Sequence, residues 1–154
     1  MTHKTVITYG TFDMFHIGHL RLIKRLRDYG DRVIVGVSTD EFNKKKGKNS
    51  VIPYNQRAEI VQSIQGVDLV IAEDDWNQKR DDIINYNAHK LIMGDDWLGK
   101  FDELEDVCDV IYLSRTDGIS STEIKKVLGH LDIKLKEDIN NLFLILESIK
   151  RELC

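Results

Sequence analysis

Gly10-Thr11-Phe12-Asp13-Met14-Phe15-His16-Ile17-Gly18-His19 is the stretch on which the fold turns. It follows Val6-Ile7-Thr8-Tyr9, a β-rich run closed by Gly10, and it leads into Ile17, Leu20, Ile23 and Leu26, which recur at helical spacing. A strand passing through a tight turn into a helix is the opening half of a βαβ unit. His16 and His19 stand three apart at the helix start and share one face. The N–H groups of that first turn would receive an anion, and Gly18 leaves room for a ligand close to the backbone. The stretch therefore describes a phosphate site with two imidazoles able to donate to it. Two other readings stand beside this one. Asp13, His16 and His19 could ligate a metal, although no Cys or further His lies nearby to complete a zinc set. The histidines could also be partly buried polar groups with a structural role alone.

Outward from this turn the alternation continues. The first helix is expected to stop at Gly30, followed by a strand over Arg32–Val37. Pro53 sits where a first helical turn would begin, ahead of Ile60, Val61 and Ile64. Strands are expected at Val67–Ile71, Leu91–Met93 and Val110–Leu113, with a helix over Lys79–Tyr86. A last core helix, capped by Ser120 or Ser121, carries Ile124, Val127 and Leu128. This order predicts an α/β fold, a single doubly wound domain with a five-stranded parallel sheet over residues 1–129. A C-terminal amphipathic helical extension over 130–154 completes the chain. Ligands of such a sheet bind beyond the carboxyl ends of its strands, in the turns after Tyr9, Val37, Ile71, Met93 and Leu113.

Composition narrows the class. The 154 residues carry a net charge of −4, which argues against general nucleic-acid binding. No apolar run approaches the ~20 residues of a membrane span. Residues 1–10 show no secretory leader, and two cysteines make no disulfide framework. A cytoplasmic protein is expected. The charge is unevenly spread: residues 21–57 hold ten Lys/Arg against four Asp/Glu, whereas residues 73–106 hold four against eleven. A cationic stretch within an acidic chain suits an anionic small molecule, or is an alternation of solvated faces.

Three further segments carry chemistry. Lys44-Lys45-Lys46-Gly47-Lys48 reads as the turn after the second strand, either a solvated loop or a mobile cationic lid stabilised by phosphate-bearing substrates. Gly94-Asp95-Asp96-Trp97-Leu98-Gly99-Lys100 fits a P-loop spacing, but Phe101 stands where Ser or Thr is needed and two aspartates would repel phosphate. Those aspartates suit sugar hydroxyl or base amino contacts instead. Arg115 and the Gly118-Ile119-Ser120-Ser121-Thr122 turn make a second phosphate cradle at a helix N-terminus.

Together these segments resemble the nucleotidyltransferase superfamily with its His-x-Gly-His signature, here His16 to His19, and within it the cytidylyltransferases. Supporting stretches are Ser38-Thr39-Asp40-Glu41-Phe42-Asn43, Met93 to Trp97 and Arg115 to Thr122, so the resemblance runs from about Thr5 to Gly129. It implies a Rossmann-like fold and transfer of CMP from CTP to glycerol 3-phosphate, with CDP-glycerol serving a teichoic-acid-like or capsular polymer. It implies His16, His19, Lys46 and Arg115 in catalysis. CTP would meet Thr11, Phe12, His16, His19, Lys48, Asp96, Arg115, Thr116, Gly118, Ile119, Ser120, Ser121 and Thr122. The acceptor would meet Lys46, Arg57, Trp76 and Lys79. Mg2+ is expected on the triphosphate, with no protein ligand assigned, and the role of Asp13 stays open. One departure is Gln65, where the family usually has Arg. It keeps phosphocholine or phosphoethanolamine open as acceptors, and a non-catalytic CTP-binding module as a further reading.

In the tail, Leu135, Ile139, Leu142, Leu146, Ile149 and Leu153 are spaced 4-3-4-3-4, an a/d seam, with Phe143 and Ile145 broadening it. Such a helix either packs on its own domain or joins two molecules. A homodimer is expected.

Overall fold

The computed structural model describes residues 3–152. Five strands form one sheet: β1 (Thr5–Gly10), β2 (Arg32–Ser38), β3 (Leu69–Glu73), β4 (Ala88–Gly94) and β5 (Asp109–Leu113). Their order is β3-β2-β1-β4-β5 and every pairing is parallel. The helices are α1 (Ile17–Leu26), α2 (Asp40–Lys45), α3 (Tyr54–Gln62), α4 (Gln78–Asn85) and α5 (Ser121–Glu152). The chain divides into two compact units, residues 1–118 and 119–154.

The sheet carries core on both faces, as a parallel sheet must. Val6, Val33, Val35 and Ile92 alternate toward Ile23, Leu26 and Val61 on one side. Ile7, Ile34, Leu91 and Met93 face Ile83, Phe101 and Leu104 on the other. Strand order reverses between β1 and its neighbours β2 and β4, which opens a crevice at the carboxyl ends of β1 and β4. The turns at Gly10 and Gly94 flank it.

Several boundaries differ from expectation, each for a local reason. α1 stops at Leu26 rather than running to Gly30, because the backbone tightens there: the N–H groups of Arg27, Asp28 and Tyr29 bond to the carbonyls three residues back, while the Arg27 side chain reaches the carbonyls of Asp31 and Gly66 and the carboxylate of Asp68. Gly30 is needed for close approach instead: a Cβ there would lie 2.5 Å from the Lys4 carbonyl oxygen. β3 begins two residues late. Asp68 is occupied before the ladder starts, accepting the Val33 N–H at 2.7 Å, and Leu69 pairs first with Ile34. Pro53 is the cap of α3 rather than its first residue. The lysine run is not all loop: Lys44 and Lys45 form the last turn of α2, a favourable place for cations. The start signal of α2 lies in the sequence, since Thr39 caps it and Asp40 and Glu41 fill its first turn.

α5 is one unbroken helix of 32 residues that passes through positions 129 and 130. Ser120 caps it by accepting the Glu123 N–H at 3.1 Å. Leu135, Leu142 and Leu146 of the heptad seam are exposed. Leu153, the last seam position, lies outside the described residues. No helix among the described residues is long and apolar enough to cross a membrane.

Candidate active site

The turn after β1 is held in an unusual backbone path. Phe12 and Met14 adopt left-handed φ values of 52° and 51°, which non-glycine residues rarely do. Tertiary contacts enforce it. The Phe12 ring lies on Gly10, where a Cβ would come within 2.9 Å of it, and Phe12 is buried. Asp13, also buried, accepts the N–H groups of Val51 at 2.8 Å and Ile52 at 2.9 Å. Arg57 is 1% exposed and works behind the same turn. It donates to the carbonyls of Thr11 (2.5 Å) and Ile52 (2.8 Å) and to Asp40 (2.8 Å). Three of its five N–H donors are thus spent on protein oxygens. Thr11 itself donates to Asn43 at 3.0 Å, which joins the turn to α2.

His16 and His19 cap α1 reciprocally. The Nδ1 of His16 accepts the Gly18 N–H at 3.1 Å, and the Nδ1 of His19 accepts the His16 N–H at 3.3 Å. The rings stack with centroids 3.8 Å apart. Because each Nδ1 is an acceptor, each neutral imidazole carries its proton on Nε2 and has that N–H to donate. Burial lowers the pKa of His16, and Arg115 adds to the effect. Burial, and secondarily His16, lower that of His19 to about 4, with Asp13 opposing. Both rings are therefore neutral donors at pH 7. Phe12 and Phe15 each lie 5.3 Å from the His19 ring and fix its seat.

Across the carboxyl edge of the sheet lies a cleft of about 360 Å³ lined by Lys46, Lys48, Trp76, Trp97, Lys100 and Phe101. Trp76 stands edge-on to Phe42 at 5.3 Å and to Trp97 at 5.6 Å. The ammonium of Lys46 lies 4.4 Å from the Phe42 ring centroid and 5.6 Å from that of Trp76. That of Lys79 lies 4.6 Å from Tyr9 and 5.2 Å from both Trp76 and Phe101. Lys48 stands 5.8 Å over Trp97. Lys79 is 2% exposed, its ammonium 2.6 Å from Glu73. Burial lowers the pKa of Lys46 to about 8, with Glu73 opposing and Lys48, Lys79 and Arg57 adding to it.

Asp96 sits in a 3₁₀ turn after β4 and pairs with Arg115 at 3.1 Å, both half exposed. Two aspartates in such a turn, followed by another short 3₁₀ turn at Asp102–Leu104 and then β5 instead of an α-helix, make the P-loop spacing fortuitous. Thr116 and Gly118 (φ 76°) follow β5. Ile119, Ser120, Ser121 and Thr122 belong to the second unit, around the start of α5. Sequence reasoning passed over Glu73, Ser38 and Asn43 as site residues. Glu73 ends β3, and a charged residue closing an apolar run at a strand's carboxyl end was the available signal.

A parallel sheet of this order, with a histidine-capped helix start beside a cationic cleft at its carboxyl edge, defines a nucleotide-handling α/β protein. A Cytidylyltransferase-like family model matches residues 7–127. The chain belongs to the cytidylyltransferase-like family. It is 52% identical over 131 residues to a glycerol-3-phosphate cytidylyltransferase of Staphylococcus aureus, spanning 85% of this chain and 99% of that one. It is 51% identical over 128 residues to the enzyme of that name from Bacillus subtilis, spanning 83% and 99%. A lipopolysaccharide core biosynthesis protein of Thermoplasma volcanium shares the fold, with a TM-score of 0.64 at 21% identity over 75% of this chain and all of that one.

Proposed function

We propose that the protein transfers CMP from CTP to glycerol 3-phosphate, releasing pyrophosphate and forming CDP-glycerol for a teichoic-acid-like or capsular polymer. The names of the relatives point to this acceptor, and the observation that carries it in this chain is the state of the aromatic cleft. An aromatic-lined pocket would suit the quaternary ammonium of phosphocholine. Here, however, the faces of Phe42, Trp76, Tyr9 and Phe101 already meet the ammoniums of Lys46 and Lys79. A second cation would be repelled, whereas a phosphate with an uncharged polyol tail fits.

The reaction is in-line attack by an acceptor phosphate oxygen on the α-phosphorus of CTP, with cleavage of the bond to the bridging oxygen of the β-phosphate. The nucleophile is anionic at neutral pH, since a phosphate monoester has a second pKa near ~6, so no general base is required. The protein must hold two anions together and stabilise charge on the α-phosphoryl oxygens. His16 and His19 do the latter through Nε2–H. Lys46, Lys48 and Arg115 neutralise phosphates, and Asp96 with Arg115 borders the nucleotide beside Thr11 and Phe12. Thr116 and Gly118, which follow β5, serve the triphosphate. Trp76, Lys79 and Arg57 shape the acceptor side, Arg57 through Thr11 and Asp40.

Mg2+ on the triphosphate supplies further charge neutralisation. Among the described residues no three His, Cys, Asp or Glu side chains converge as a ligand set, and the Asp13 carboxylate accepts two backbone N–H groups. A hard cation of this kind would be carried mainly by substrate oxygens and water. The apolar seam of α5 supports a homodimer, and the nucleotide and sugar-phosphate substrates of this reading support a cytoplasmic location. Pyrophosphate release from CTP with glycerol 3-phosphate, phosphocholine and phosphoethanolamine tests the function: turnover with glycerol 3-phosphate alone is expected. Preference for either amine acceptor would overturn it. Light scattering before and after deletion of residues 131–154 tests the homodimer, with a halved mass expected.

A further inference from the structure

Glu73 is a fully buried carboxylate that no step above uses. Its Oε1 lies 2.6 Å from the Lys79 ammonium, and its Oε2 accepts the Ser38 hydroxyl at 2.5 Å. Lys46 donates to the same Ser38 oxygen at 2.9 Å, and its ammonium is 3.9 Å from Oε2. The carbonyl of Glu73 accepts the Thr39 N–H at 3.0 Å, tying the end of β3 to the N-cap of α2, the helix whose C-cap is Lys46. One carboxylate thus stands behind two ammoniums, with aromatic faces around all three.

Stability alone does not explain this arrangement. A buried ion pair is often no more stabilising than apolar side chains of equal volume, because two charges must be desolvated. Apolar replacement would also suit the aromatic surroundings. What the carboxylate does achieve is to hold two ammoniums close together and, at Lys46, to oppose the loss of charge that burial favours. Without it, desolvation and the cationic neighbours would act on the Lys46 ammonium unopposed.

We infer that Glu73 is a positioning residue for the acceptor: through Ser38 it seats the Lys46 ammonium at the cleft wall, and directly it holds Lys79 behind, so that the pair presents a fixed positive site to the acceptor phosphate. This rests on the proposed reaction. Lys46 lines the cleft and Lys79 does not, so Lys46 makes the contact. The charged groups around the Lys46 ammonium are Glu73 of β3, Lys79 of α4, Lys48, Arg57 of α3 and, across the cleft, Lys100. Only Glu73 among them favours the charged form. The Lys46 ammonium loses its proton near pH 8, so removal of Glu73 moves that titration downward.

The test compares wild type, Glu73→Gln and Ser38→Ala, with steady-state kinetics from pH 6 to 9.5 and circular dichroism to verify folding. In wild type, kcat/KM for glycerol 3-phosphate should fall on the alkaline side near pH 8, the free-enzyme titration of Lys46. In Glu73→Gln that limb should move down by about one unit, with acceptor KM at pH 8 raised about tenfold and CTP KM within about twofold. Ser38→Ala should move it the same way by less. A folded Glu73→Gln with the wild-type limb and acceptor KM overturns the inference and leaves the proposed reaction standing. If Glu73→Gln does not fold, Ser38→Ala decides, and an unmoved limb overturns it. Absence of wild-type turnover with glycerol 3-phosphate would overturn both.

Discussion

Two clusters of N–H donors stand at the carboxyl edge of the sheet, and they are held by different physics. The histidine turn is neutral. Its imidazoles are locked by backbone hydrogen bonds of α1, stacked on each other, and kept uncharged by burial. The lysine cluster is charged. Its ammoniums rest on aromatic faces and depend on a buried carboxylate that arrives from β3. Neutral donors fixed in place suit charge that appears only in the transition state, because they cost little in the ground state and need no reorganisation. Ammoniums suit a dianion that must be attracted before reaction. In the proposed reaction, this difference would separate chemistry from acceptor capture.

The largest effect expected is on turnover. His16→Ala or His19→Ala should lower kcat by about 10²–10³-fold with KM little changed. A change confined to KM would move the histidines to the capture side of the comparison. Next comes Asp13→Ala, which strands the Val51 and Ile52 N–H groups behind the turn. A loss of about 2–4 kcal/mol in urea unfolding is expected, and Asp13→Asn should recover part of it. Gly10→Ala should cost about 1–3 kcal/mol, because its Cβ meets a Phe12 ring that the left-handed backbone cannot withdraw. Unchanged stability in that variant would mean the turn is looser than described.

The pH dependence of stability is a smaller effect with a definite sign. His19 ionises near pH 4 when folded and near ~6.5 when unfolded, so between those values the unfolded chain binds more protons. Its contribution is complete above about pH 6.5 and is lost as pH falls toward 4. Thermal melts should therefore show Tm falling across that window, with a flatter profile in His19→Gln. Least of all, Asp96→Asn should change stability by under ~0.5 kcal/mol, since its pair with Arg115 is half exposed. A rise in CTP KM alone is expected there.

Much of this architecture is written locally. Alternating apolar runs and helical spacing place all five strands and four of the five helices, because each element buries its own periodic face. α2 escapes such reading, since six residues contain no full apolar period, although Thr39-Asp40-Glu41 marks its start. The histidine turn could be found because its residues are contiguous, and their functional face follows from helix geometry. The lysine cluster was only half visible. Lys46 stands out in the lysine run, and Trp76 and Lys79 follow from the family resemblance, but Glu73, the partner of both lysines, and the bridging Ser38 come from different strands.

By itself, then, the sequence determined the order of elements, the pairing of His16 with His19 on one face of a helix start and the uneven spread of its charge, since each depends on residues near one another in the chain. Tertiary structure alone decided that Arg57 clamps Thr11, Ile52 and Asp40, that Asp13 fastens the segment after the lysine run, and that one buried carboxylate serves two lysines. Those contacts span 5 to 46 positions along the chain. The longer of them exist because the parallel sheet brings the carboxyl ends of β1, β2 and β3 side by side, a proximity that no local pattern encodes.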